Sequence, residues 1–140
     1  MQSHTVSVFR HASLDREHAE IQEHLNQLGR CVKSENYSSA NVLEVLATLM
    51  NCLGKHFENE ETWMKNHQYL HLDSHKKQHD NLLSVVAEFT EKYRLDPSQA
   101  EGENLYGFIN EWLIIHSDQA DLVVGNYFKS QQYLRKKTRP

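Results

Sequence analysis

The sequence predicts an all-α fold: an up-down-up-down antiparallel four-helix bundle with a short C-terminal helical extension. Three observations lead there. Four segments repeat apolar residues at alternating steps of three and four, the spacing of a helix stripe that faces a bundle core. Helix breakers are scarce, with two prolines (Pro97 and Pro140) and five glycines in 140 residues. The connections between striped segments are short and polar, which makes sequential helices antiparallel neighbours. No strand-like alternation, internal repeat or low-complexity segment competes with this pattern.

The first stripe runs Leu14, His18, Ile21, Leu25, Leu28, Val32. The second runs Val42, Val45, Leu49, Leu53, His56, Glu60, Trp63, and Asn41 with Glu44 three residues on reads as its N-terminal cap. The third runs Leu72, His75, His79, Leu82, Val86, Phe89, Tyr93. The fourth, opened by Ser98 with Glu101 in capping-box register, runs Leu105, Ile109, Trp112, His116. Connections are expected at Ser34 to Ser39, Asn66 to Tyr69, and Asp96 to Ser98. The segment from Asn126 to Lys137 can continue as a helical connector.

Length and composition bound the function. A chain of 140 residues is expected to form a single domain over 1–140, able to bury a core without disulfides. Cys31 and Cys52 match no metal or redox spacing, and a reduced cytoplasmic compartment is the default expectation. No charged-then-apolar leader opens the chain and no apolar run approaches ~18 residues, so neither export nor a membrane partner is expected. Of fifteen basic residues, four (Arg135, Lys136, Lys137, Arg139) crowd a tail at 135–140, leaving a body dominated by nineteen acidic ones. Such a body argues against nucleic acid as a partner. The basic tail itself reads as a frayed terminus rather than a docking segment, and Cys52 as a small core residue. Ten histidines are the compositional oddity.

Five of those histidines and two carboxylates occupy stripe positions that aliphatics fill elsewhere, or follow the last stripe: His18, His56, Glu60, His75, His79, His116 and Asp121. In antiparallel neighbours joined by a short turn, residues symmetric about the turn lie at one height. His18 and His56 are symmetric about position 37; His56 with His79, and Glu60 with His75, about 67.5; His79 with His116 about 97.5. Three independent loops therefore put these side chains in one layer. His67 and His71 continue the i, i+4 series of His75 and His79 but fall a turn or more from the layer, as His4, His11 and His24 also fall off it.

A single histidine on an apolar stripe is more often a hydrogen-bonded core residue than a ligand, and a lone i, i+4 pair arises by chance. A layer of seven is different. Each unpaired buried carboxylate costs several kcal/mol and each unsatisfied imidazole about 1–3 kcal/mol, against a domain stability of about 5–15 kcal/mol. Two divalent cations remove that cost. The absence of thiolate excludes a Cys-rich structural zinc site, while imidazole with carboxylate suits iron, zinc, manganese, cobalt or copper. With both carboxylates shared, one ion takes three histidines and the other two, so the second keeps an open position for a small ligand. The carboxylate-rich di-iron bundles use Glu-x-x-His pairs, and none occurs in this sequence.

The segments DREH (15–18), HFENEETWM (56–64), HKKQHD (75–80) and WLIIHSDQAD (112–121) resemble the hemerythrin family, and bacterial hemerythrin-like domains in particular, over a core of about residues 12–128. The resemblance implies a non-haem di-iron centre with His75, His79 and His116 on one iron and His18 and His56 on the other. It also implies bridging by Glu60, Asp121 and an oxo or hydroxo group. Dioxygen would bind reversibly, as a hydroperoxide, at the open iron, in an apolar pocket matched here by Ile21, Phe57, Trp112 and Leu113. Ser117 departs from the family, which places an aliphatic there; its hydroxyl can bond the oxygen ligand, admit water, or face solvent. Asp121 follows His116 by five residues, about 140° around a continuous helix, so a bend or break is expected between them.

The function implied is dioxygen binding for delivery, storage or sensing. The alternative is a redox-sensing module of a larger signalling protein, with an output domain or partner protein, which a domain following Pro140 would mark. Less favoured is a di-iron enzyme of peroxidase or nitric oxide reductase type, since Ser117 is the sole pocket residue read as able to deliver a proton. No catalytic residue is therefore assigned.

Overall fold

The computed structural model describes residues 12–117 and 121–138, with side chains described for residues 13–117 and 121–130. Its helices are α1 (Ala12–Lys33), α2 (Ser39–Asn66), α3 (Leu72–Leu95), α4 (Gln99–His116) and α5 (Leu122–Thr138), and no strand occurs among the described residues. α1 packs on α2 and α4, and α3 packs on α2 and α4, so the first four helices close a bundle in up-down-up-down order. α5 is the C-terminal extension, and it is longer than a frayed end. The side chains of the basic tail, and all of His4 and His11, lie outside the described residues.

Local signals set the helix boundaries. Ser98 caps α4, its hydroxyl accepting from the Glu101 N–H. The cap of α2 differs from the Asn41 expectation. Ser38 is the N-cap and accepts from the Asn41 N–H, which places Asn41 inside the first turn. Both residues are good caps, and the extended backbone of Ser38 (φ −137°, ψ 121°) selects it. The α1 C-terminus is tied to α4 by Gln99, whose amide donates to the carbonyls of Val32 (3.0 Å) and Ser34 (3.1 Å). Those carbonyls would otherwise lack partners at a helix end. The turn between α2 and α3 is closed by Gln68 in the left-handed region (φ 57°).

The core runs along the stripes. Leu25, Leu28, Val32, Val42, Leu46, Leu49, Leu53, Leu82, Val86, Tyr93, Leu105 and Ile109 are buried together in one cluster. Gly29 permits a close approach between α1 and α4, because a Cβ there would sit 2.9 Å from the Tyr106 ring. In α2 the buried positions drift from the predicted stripe. Leu46 and Met64 are buried where Val45 and Trp63 are only half-buried. Over 28 residues a helix of 3.6 residues per turn rotates away from a strict 3.5 repeat. Met64 joins a second cluster with Leu14, Tyr69 and Val124, and Trp63, Tyr127 and Phe128 pack against it. That cluster seats α5 at the end of the bundle beyond the polar layer.

Candidate metal centre

α1 delivers His18, α2 delivers His56 and Glu60 one turn apart, α3 delivers His75 and His79 one turn apart, and α4 ends on His116. Asp121 precedes α5. Both Ser117 and Asp121 have wide π-type turns, a geometry that recurs at functional sites. Asp121 Oδ1 lies 3.2 Å from His116 Nε2.

All seven predicted residues meet in one layer. Their donor atoms form two groups, each within 4.8 Å: Glu60, His75, His79, His116 and Asp121, and His18, His56 and Glu60. Glu60 belongs to both; Asp121 belongs to the three-histidine group alone. The pairings follow the symmetric positions. The His18 and His56 rings lie 4.4 Å apart, Glu60 Oε2 is 3.7 Å from His75 Nε2, and His79 Nε2 is 3.0 Å from His116 Nε2. Asp121 Oδ1 also reaches His75 Nε2 at 3.1 Å. Six of the seven are buried, and His18 is half-buried. His67 and His71 are exposed and belong to neither group; His67 stacks on Trp63 (centroids 4.2 Å apart). His24 also belongs to neither group and is half-buried.

Three residues that sequence reasoning missed hold the imidazoles from behind. His56 Nδ1 donates to Glu17 (2.8 Å), His79 Nδ1 to Glu61 (2.8 Å), and His116 Nδ1 to Gln78 Oε1 (3.0 Å). Asn59 in turn donates to Glu17. Each bond puts the ring proton on Nδ1 and aims the Nε2 lone pair into the layer, the orientation a metal ligand needs. A signal was present in the sequence: Glu17, Glu61 and Gln78 are each adjacent to a candidate ligand. Adjacent residues on a helix point about 100° apart, so only the packing of a neighbouring helix shows that each reaches a different helix's histidine.

The donor set fits cations. His79 and His116 face each other through Nε2 while both Nδ1 protons are committed elsewhere, so two lone pairs confront one another at 3.0 Å. His56 Nε2, Glu60 Oε2, His75 Nε2 and Asp121 Oδ1 are buried without a hydrogen-bond partner among the described residues. His56 Nε2 touches Glu60 Oε1 but in a geometry that makes no hydrogen bond. Without a cation, protons and carboxylates must balance the layer. Burial lowers the His75 pKa, but Asp121 and Glu60 outweigh it and raise the group to about 9. Burial likewise opposes and the Glu60 and Glu17 carboxylates support protonation of His56, with a net rise. His79 is held down to about 3 by burial, aided by the neighbouring His116 and His75. Burial raises Glu60, yet the neighbouring imidazoles of His18, His56 and His75 bring it well below the usual carboxylate range. Glu61 is raised, chiefly by burial.

A cavity of about 50 Å³ adjoins the layer at His18, His56, Glu60, His116 and Asp121, and its wall includes Ile21, Leu25, Leu53, Phe57 and Leu113 with Gln22, Asn110, Ile114 and Ser117. Phe57 stacks on His79 with ring centroids 3.9 Å apart.

The Hemerythrin HHE cation binding domain model matches residues 11–126. The chain belongs to the hemerythrin family. Bacteriohemerythrin of Methylococcus capsulatus is 27% identical over 111 residues, covering 79% of this chain and 82% of that protein. A hemerythrin subunit of Sipunculus nudus is 34% identical over 79 residues, covering 56% of this chain and 55% of the relative. A wild-type hemerythrin crystal structure superposes with a TM-score of 0.73 at 25% identity, covering 82% of this chain and 86% of that one.

Within this hemerythrin fold four of the five predicted pocket residues, Ile21, Phe57, Leu113 and Ser117, line the cavity. Trp112 is not among the residues that line it. It lies one turn before His116 on the same face of α4, so its ring stacks on that imidazole (4.5 Å, 17°) on the three-histidine side. Leu25, Leu53, Gln22 and Asn110 were not foreseen in the wall. Ser117 is half-buried in it rather than turned wholly to solvent.

Proposed function

We propose that this hemerythrin-family chain is a di-iron protein that binds dioxygen reversibly in the cavity beside His18 and His56. One observation carries this reading: Glu60 is shared by both donor groups, and the cavity is bounded by every donor of the smaller group but not by His75 or His79 of the larger. A pair of irons, with a bridging oxo or hydroxo group, supplies the two electrons that reversible dioxygen binding needs. His75, His79, His116 and Asp121 would hold one iron and His18 and His56 the other, with Glu60 common to both. Glu17, Glu61 and Gln78 fix three of the ligands in the metal-facing tautomer. Ile21, Leu25, Leu53, Phe57 and Leu113 make much of the cavity wall apolar, and a volume of about 50 Å³ suits a diatomic molecule.

Binding rather than turnover is the reading, because no charged acid or base outside the candidate ligands lines the cavity. One observation favours sensing over storage: the Ser117 hydroxyl in that wall gives the ligand a polar neighbour and shortens the oxygenated state. A cytoplasmic setting and a signalling partner or output domain belong to that second reading. No helix among the described residues is long and apolar enough to cross a membrane.

The test is iron content with optical spectra of the reduced protein before and after exposure to air. Two irons per chain, with a charge-transfer band that appears in air and reverses on removing oxygen, is the expected result. One tightly held zinc with no second metal would overturn it.

A further inference from the structure

The cavity wall is not apolar throughout. Gln22 on α1 and Asn110 on α4 contribute two carboxamides to it, and Ser117 contributes a hydroxyl. Gln22 Nε2 donates to Asn26 Oδ1 (2.9 Å), one turn along α1, and Gln22, Asn26 and Asn110 are all half-buried. Ser117, Asn110 and Gln22 thus make a run of uncharged polar residues in one wall where α1 packs on α4, and Asn26 extends it through its bond to Gln22. The bond to Asn26 uses one of the two Gln22 amide protons and leaves its carbonyl oxygen available. A buried water needs about 10–15 Å³ and two to four polar partners; a cavity of about 50 Å³ with three polar groups in its wall provides both.

We propose that this polar run is a water and proton path that enters between α1 and α4 and ends in the cavity beside His18 and His56. The proposal rests on the dioxygen-binding reading of that cavity. Gln22 and Asn110 hold and orient water without titrating, and Ser117 passes a proton from that water to the ligand. A hydroperoxide ligand already carries both electrons, so its loss as hydrogen peroxide would need only one further proton, which this route would supply from solvent. The amides therefore set how long the oxygenated state lasts and how readily small polar molecules reach the metals. They are positioning residues, not ligands.

The experiment uses the full iron-loaded chain with Gln22→Leu, Asn110→Leu, both together, and Asn110→Ser as the conservative variant. The rate at which azide enters the oxidised site is measured by stopped flow. Decay of the oxygenated spectrum is followed in H2O and D2O. Leucine at either position should slow azide entry and spectral decay about tenfold, equivalent to about 1.4 kcal/mol of barrier, and shrink the solvent isotope effect. Asn110→Ser should keep both rates near wild type. Unchanged rates and isotope effect in the double variant, at equal iron content and unfolding midpoint, would overturn the path. If the double variant does not fold, the single variants decide by the same rates. A crystal structure of the iron-loaded wild type should show ordered water bonded to Gln22 or Asn110, and a dry cavity would also overturn the proposal. Failure of the wild type to bind iron instead overturns the dioxygen reading, so the two failures are distinct.

Discussion

Stripping metal from the protein should cost it much of its stability, and the remainder should peak at a definite pH. Four buried donor atoms have no hydrogen-bond partner among the described residues. At about 1–3 kcal/mol for each unsatisfied group, they forfeit several kcal/mol of the ~5–15 kcal/mol typical of a domain. Protonation recovers part of this loss, and its sign differs between groups. His75, raised to about 9, keeps a proton that the unfolded chain releases near 6.5; its stabilisation is full below 6.5 and lost as pH rises through 9. His56, also raised, acts in the same direction. His79, held to about 3, refuses a proton that the unfolded chain accepts, so stability falls as pH drops from 6.5 towards 3. Glu60, held well below its usual value, adds to the acid loss below 4.5. The metal-free chain is therefore most stable near pH 6.5 and weakens on both sides, by about 1.4 kcal/mol per pH unit for each proton taken up or released. Urea unfolding followed by circular dichroism, from pH 4 to 10 with and without metal, checks this. Metal should raise the midpoint at every pH above about 6 and move the optimum upward, since protons no longer compensate the layer. Equal midpoints with and without metal, or a metal-free optimum above pH 9, would refute the reasoning.

Replacing Glu60 with alanine should lower iron content below two per chain, because it is the carboxylate shared by both donor groups; metal analysis of the purified variant checks this. Alanine at His75 or His79 should remove iron or the charge-transfer absorption, whereas alanine at exposed His71 should leave both nearly intact; the reverse pattern would shift α3 by one turn. Isoleucine at Ser117 should slow decay of the oxygenated spectrum without changing iron content, and tenfold corresponds to about 1.4 kcal/mol; equal decay rates would remove the argument for sensing. Alanine at Gly29 places a Cβ 2.9 Å from the Tyr106 ring and should cost about 1–3 kcal/mol by overpacking, read as a lower urea midpoint with iron content preserved.

The bundle and its polar layer were legible in the sequence because both depend on spacing. Stripe periodicity names the inward face of each helix, and short loops make heights in neighbouring helices a matter of counting. His18 with His56 and His79 with His116 could therefore be paired from their numbers alone. Ser98 was equally legible as a cap, because a cap is a local bond. What depended on the rotation of one helix against another was not legible. Choosing Ser38 over Asn41 needed the backbone angles. Trp112 sits one turn from His116, and only the packing of α4 decides that it stacks on that ring instead of facing the cavity. Glu17, Glu61 and Gln78 look like ordinary solvated helix residues until a neighbouring helix presents a histidine to each. Gln22 and Asn110 stand 88 positions apart in sequence, and only the closure of α1 on α4 puts them in one wall. Sequence determines which residues share a face and a level, since those follow from the geometry of a single helix. Which groups touch across the seam is decided by side-chain packing between helices, which no single helix encodes.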